Sequence, residues 1–142
     1  MKRIIIIVCV VLVCLIVLFL YAIKTNHAII DIGESTKFSN EERQTAVDCV
    51  IHNIKGWSGC DLIRLWYDED KSNSEIEDYM IFGRGSINGV IKENVIVLFA
   101  DFYVHSADGP AGFNPNSIYT KYSWTLIRDS KTGSWRIEDC GY

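Results

Sequence analysis

The chain has 142 residues, 49% of them hydrophobic, with 14 Lys and Arg against 18 Asp and Glu and a formal net charge of −4 at pH 7. That length supports one core of useful size and not two. The acidic balance repels phosphate backbones, which argues against nucleic acid as a partner.

The first 24 residues read MKRIIIIVCVVLVCLIVLFLYAIK. From Ile4 to Ile23 nearly every position is apolar, and about twenty helical residues at 1.5 Å each match a hydrocarbon core roughly 30 Å thick. A cleavable signal peptide has a shorter apolar core and a small-x-small site after it. Ala22 follows Leu20 and Tyr21, and Ala28 has Asn26 three places before it, so neither supplies that site. Cys9 and Cys14 follow Val8 and Val13, whereas a lipoprotein signal puts a small residue before its cysteine. The expectation is an uncleaved anchor over residues 1–24 that meets membrane lipid through residues 4–23. Lys2 and Arg3 precede the run and Lys24 alone follows it closely, so the positive-inside rule leaves the N-terminus in the cytoplasm. This describes a single-pass protein of the cell membrane with an extracellular C-terminal domain. Without Lys2, Arg3 and Lys24, 11 of the 14 basic residues face 18 acids, a formal charge of −7 on the exported part. That charge favours contact with the membrane through the helix alone.

Residues 25–37 read as a linker, with Ile29, Ile30 and Ile32 equally able to pack on the domain that follows, 38–142. In FSNEERQTAVDCVIHNIKG, Ser39 and Glu42 form a capping box, acids crowd the first turn and Gly56 stands at the stop. Ala46, Val47, Val50, Ile51 and Ile54 share one face of this helix. DLIRLWYDED (Asp61–Asp70) alternates as a strand, and NSEIEDYMIFG suits a short second helix. VIVLFADFYV (Val95–Val104) and SIYTKYSWTLIR (Ser117–Arg128) are strands by composition. DSKTG joins the second of these to SWRIEDCGY as a hairpin, with Gly133 expected in a left-handed turn position. Trp124, Tyr122 and Leu126 share a strand face, and Tyr119 falls on the opposite parity. The fold class is α+β, an antiparallel sheet of about four strands packed on one main helix.

The runs DIGESTKFSNEERQTAVDCV, GCDLIRLWYDEDKS, ENVIVLFADF, FNPNSIYT and WTLIRDSKTGSWRIEDCGY resemble exported proteins of Gram-positive bacteria grouped as domain-of-unknown-function family forty-eight twenty-nine. The resemblance covers nearly all of residues 31–142. Members usually end in Asp-Trp-Gly-Tyr, whereas Cys140 stands before Gly141 here, and many carry a lipoprotein signal. It implies a nuclear-transport-factor-two-like domain, also called cystatin-like or ketosteroid-isomerase-like, in which a curved sheet wraps helices into a cone. Isomerases, dehydratases, sensors and binding modules all share that fold, so it implies no activity.

No metal or cofactor is expected. Cys49 and His52 lie three apart on the first helix without a second pair at ligand spacing. DEDKSNSE lacks the glycine and glutamate of a calcium loop and reads as a solvated turn. FGRGSINGV has close glycines but no phosphate-holding Lys-Ser or Lys-Thr, and reads as a loop that needs positive φ. Of Cys49, Cys60 and Cys140, two are able to pair in an oxidising exterior, and unpaired thiols are the preferred state. Asp101 is the one acid on either face of its strand, a speculative general base if desolvated between Phe99 and Tyr103. Tyr103, Phe113 and Tyr119 are candidate contacts for a small apolar ligand, and Phe113, in the long loop His105–Ser117, is a contact for a partner if it stands in solvent. The favoured reading is a tethered, non-catalytic binding or interaction module. The alternatives are a small isomerase or lyase with a carboxylate in the cone, and a regulator of a neighbouring membrane protein.

Overall fold

The computed structural model describes Leu12 and residues 28–142. The anchor expected over residues 1–24 lies outside them, Leu12 aside, and among the described residues no helix is long and apolar enough to cross a membrane. The elements are β1 (Ile29–Asp31), α1 (Asn40–Lys55), β2 (Cys60–Trp66), α2 (Glu69–Ile81), α3 (Gly85–Asn88), a 3-10 turn (Lys92–Asn94), β3 (Val95–Val104), β4 (Ser117–Ile127) and β5 (Arg136–Gly141). The strands form one five-stranded sheet in the order β1-β2-β3-β4-β5, antiparallel except for β1 beside β2.

The fifth strand comes from the segment read as a linker. Ile29, Ile30 and Asp31 pair with Arg64, Leu65 and Trp66, and the Tyr67 N–H donates to the Asp31 carbonyl at 2.9 Å. Extended, β-branched Ile-Ile suits a strand edge, and pairing there satisfies backbone groups that β2 would otherwise leave open. Seven residues on, Phe38 is buried in the core, so the ordered domain begins well before residue 38.

The Ser39 hydroxyl accepts from the Glu42 N–H at 3.1 Å and the Glu42 carboxylate accepts from the Ser39 N–H at 2.7 Å, closing the capping box of α1. Ala46, Val47, Val50 and Ile54 are buried against Leu65, Leu98, Ala100, Phe102 and Leu126 on the inner face of the sheet. Val50→Ala should therefore cost about 2 kcal/mol through lost burial and an unfilled cavity, and Glu41→Ala only a few tenths. Denaturant unfolding of the two variants checks this, and equal small losses would mean that α1 does not pack on the sheet.

A second helix of full length, in place of one main helix, covers the other face. α2 starts at Glu69 because the Asp68 carboxylate accepts from the Lys71 N–H at 3.1 Å, so the acids of DEDKSNSE are an N-cap and a first turn and not a solvated turn. Ile76 and Tyr79 pack on Trp66, Val95, Val97, Phe99 and Ile127. The sheet is thus buried on both faces along Val95–Phe99, which is why β3 reads as an unbroken apolar run. Of the FGRGSINGV glycines only Gly89 has positive φ, and Gly85 opens the short α3. Gly133 closes its turn by donating to the Ser130 carbonyl at 2.9 Å without positive φ, against expectation.

The sheet bends at the level of Asp101. In β2, Leu62 pairs with Phe102 and Arg64 with Asp101, leaving Ile63 as an extra residue. In β4, Ala100 pairs with Tyr122 and Phe102 with Tyr119, leaving Thr120 and Lys121 opposite Asp101. Two bulges flanking one residue bend the strands and sharpen the local twist there. Lys121 takes a left-handed φ of 58°, and its N–H donates to Asp101 Oδ1 at 2.8 Å. The bulge also corrects a parity: it places Tyr119 on the same face as Tyr122, both packed in the inner core.

Candidate functional site

The inner face beneath the bend is filled by aromatic rings. Gly56 ends α1 by donating to the Asn53 carbonyl at 3.0 Å, and Trp57 turns back into the fold. Its ring centre lies 5.1 Å from that of Trp124, 5.6 Å from Phe102 and 5.6 Å from Phe113. Phe113 folds back from its loop onto Phe102 at 5.3 Å and Tyr119 at 4.7 Å, so it pins the loop and does not stand in solvent. Tyr119 stacks on Phe102 at 5.4 Å, and its hydroxyl accepts from the Asn114 N–H at 2.7 Å. Edge-to-face and offset packing of this kind favours the rings over an open cavity.

The four residues singled out from the sequence divide between the two faces. Phe113 and Tyr119 meet in the chamber. Tyr103 lies apart from them, its ring edge-on to His105 at 4.6 Å and its hydroxyl donating to Asn116 Oδ1 at 3.3 Å. Asp101 lies outside the aromatic chamber, half-buried in an open depression of about 590 Å³ shared with Asp31, Glu34, Arg64, Glu69 and Lys121. Its carboxylate fastens the bulge by accepting from the Lys121 N–H, and Trp66 and Tyr67 join the charged side chains around the depression.

Two charged clusters were not visible in the sequence. Arg128 is 3% exposed at the end of β4, with Nη1 2.7 Å from Glu42 Oε1, Nε donating to Asn94 Oδ1 at 3.3 Å, and the guanidinium 4.3 Å from the Trp135 ring centre. Burial alone would raise the Glu42 carboxyl, but the Ser39 N–H and Arg128 together hold it below the usual range. Burial pushes the Lys37 ammonium down, against the attraction of Glu93. Glu42, Arg128, Lys37, Cys49 and Trp135 line a broad groove of about 940 Å³ between the start of α1 and the β4–β5 turn. The one sequence signal for it was a charge, Arg128, directly after Leu126 and Ile127 at the end of a strand.

The second cluster clamps the segment before α1. The Ser35 hydroxyl donates to Glu69, the Thr36 hydroxyl donates to it at 2.7 Å and the Thr36 N–H at 3.0 Å. These donors hold the Glu69 carboxyl at about 2, against an ordinary 4.5. A depressed carboxyl contributes stability above its unfolded value and loses it as pH falls through the folded one, here between about 4.5 and 2. Glu69→Gln should therefore lower the melting temperature slightly at neutral pH and flatten its acid dependence over that window. Melts of both proteins across the window check this, and parallel acid profiles would refute the clamp.

Cys49, Cys60 and Cys140 are free thiols. Burial raises Cys49, and burial with Asp61 beside it pushes Cys60 up to about 11, so neither is a ready nucleophile at neutral pH. Cys49 Sγ lies 3.6 Å from the Trp135 carbonyl and His52 is exposed, and among the described residues no group of three or more His, Cys, Asp or Glu is placed to hold a metal. Compared with protein-family models, with curated proteins and with solved structures, the chain finds no match.

Proposed function

We propose that this chain is a membrane-anchored, extracytoplasmic binding or interaction module that carries out no reaction, with a nuclear-transport-factor-two-like domain of the kind its resemblance implies. The filled chamber carries the reading. A small isomerase or lyase built in such a cone needs room for substrate beside a desolvated acid or base, and Trp57, Phe102, Phe113 and Tyr119 occupy that room while Asp101 lies elsewhere. The outer surface offers contact area instead. Phe82 and Ile87 are 83% and 80% exposed where α2 ends and α3 follows, with Ile81 and Ile91 exposed nearby in the chain. Exposed large apolar residues concentrated in one segment suit a protein partner.

The test uses cells producing the full chain. A tag after Tyr142 should be cut by protease added outside, and the mature chain should keep Met1 or Lys2; a chain beginning near Asn26 or Ile29 would overturn the anchor. A photo-crosslinking residue at Ser86 should yield a discrete adduct that Phe82→Ser with Ile87→Ser removes. Turnover of a small carbonyl or hydroxy compound, abolished by Phe113→Ala in a folded protein, would overturn the non-catalytic reading.

A further inference from the structure

Ala28 is one wall of a groove. With Ile30, Ile51, Ile54, Cys60 and Leu62 it lines a cleft of about 340 Å³ between the last turns of α1 and the start of β2, where Lys55 and Asp61 complete the lining. The walls are mostly apolar, unlike the charged depression around Asp101. The cleft exists because β1 is short: Ile29 pairs with Arg64, so among the described residues no strand lies beside Cys60–Ile63 on the outer edge of β2. Ile30, one of its walls, is 39% exposed. Asp61 is engaged by His105, whereas Lys55, exposed at the end of α1, has no carboxylate within ion-pair distance among the described residues.

The chain outside the groove limits what can reach it. The apolar run ends at Ile23, and six residue steps to Ile29 span at most about 22 Å. On the anchored reading the groove therefore opens close to the membrane surface, where lipid is the one apolar material held at high local concentration. A volume near the lower end of ligand pockets, about 300–1,000 Å³, admits part of a hydrocarbon chain and not a whole lipid. The gain is the apolar wall taken out of water, since the hydrocarbon only exchanges one apolar setting for another. We infer that this groove seats the acyl chain of a bilayer phospholipid, with Lys55 facing the headgroup phosphate, and the inference rests on the proposal that residues 4–23 span the membrane.

The test is the full chain in vesicles of phosphatidylcholine and phosphatidylglycerol, with a fraction of the lipid carrying a diazirine in its acyl chain. After irradiation, adducts are mapped by mass spectrometry. Adducts are expected in residues 4–23 and also on the peptides holding Ile51 and Leu62. Ile51→Asn should lower the groove adducts severalfold and leave those of residues 4–23 unchanged, and Ile30→Asn, at the exposed strand edge, serves if the first variant does not fold. Adducts confined to residues 4–23 would overturn the groove and leave the anchor standing. Absence of adducts in residues 4–23 would overturn the anchor, and the inference with it. With a photo-crosslinking residue at Ile51 in place of the lipid probe, a crosslink from the groove to residues 24–27, or to a second copy, and none to lipid would overturn the lipid assignment in favour of that occupant.

Discussion

Phe102→Ala should destabilise the domain by about 3 to 5 kcal/mol, the largest loss expected from a single truncation in the sheet. Phe102 is fully buried, and the rings of Trp57, Phe113, Tyr119 and Tyr122 all lie within 5.6 Å of its centre. Removing it takes the common partner from rings held on α1's exit, on the long loop and on β4, and no one of them can close the gap without leaving the others. Unfolding in urea gives the free energy, and the loop supplies a second reading: hydrogen exchange at the Asn114 N–H should speed up, because its acceptor Tyr119 loses its stack. A loss near 1 kcal/mol would mean that the chamber can repack, and the case against a ligand cavity would weaken with it.

Glu42→Ala should cost about 3 kcal/mol or more, and clearly more than Arg128→Met. The two side chains differ in what they leave behind. Arg128 is 4% exposed at its side chain, so without Glu42 its charge stays buried with Asn94 and the Trp135 and Phe38 rings, and among the described residues no carboxylate, to answer it. Glu42 is 19% exposed, so without Arg128 its carboxylate turns to water and keeps the Ser39 N–H. Methionine also refills the space between Trp135 and Phe38. Part of the Glu42→Ala loss is the capping box, and Glu42→Gln separates the two effects, since glutamine still accepts from Ser39 without a charge. A double-mutant cycle over Glu42 and Arg128 measures the coupling. Equal losses for both truncations would show that the guanidinium is hydrated in solution.

Local features were legible in the sequence wherever one residue type has one main use. Ser39 with Glu42 marked the start of α1, alternation marked β2, and β-branched and aromatic runs marked β3 and β4. α2 was seen only in part, because the acids of its first turn also suit a solvated turn, and Asp68 declares itself a cap only when Lys71 comes round to it. Three-residue β1 carries no periodicity of its own; it is a strand because β2 has an open edge to offer.

Side-chain parity was the more consequential loss. Alternation along β4 puts Tyr119 opposite Tyr122 until a bulge at Lys121 inserts a residue and returns them to one face. That same bulge gives Asp101 a structural hydrogen bond from the Lys121 N–H, on the face that plain alternation along β3 already assigns it, away from Ala100 and Phe102. Composition and periodicity determined by themselves that this is one acidic α+β domain behind an apolar run, with α1 packed on a sheet, because those properties sum over neighbouring residues. Only the tertiary structure decided that the chamber is filled, that Arg128 is buried on Glu42, and that a groove lies open beside Ala28. Each of these depends on residues far apart in the chain meeting at a bulge, a turn or a strand edge, and spacing along the sequence does not encode such meetings.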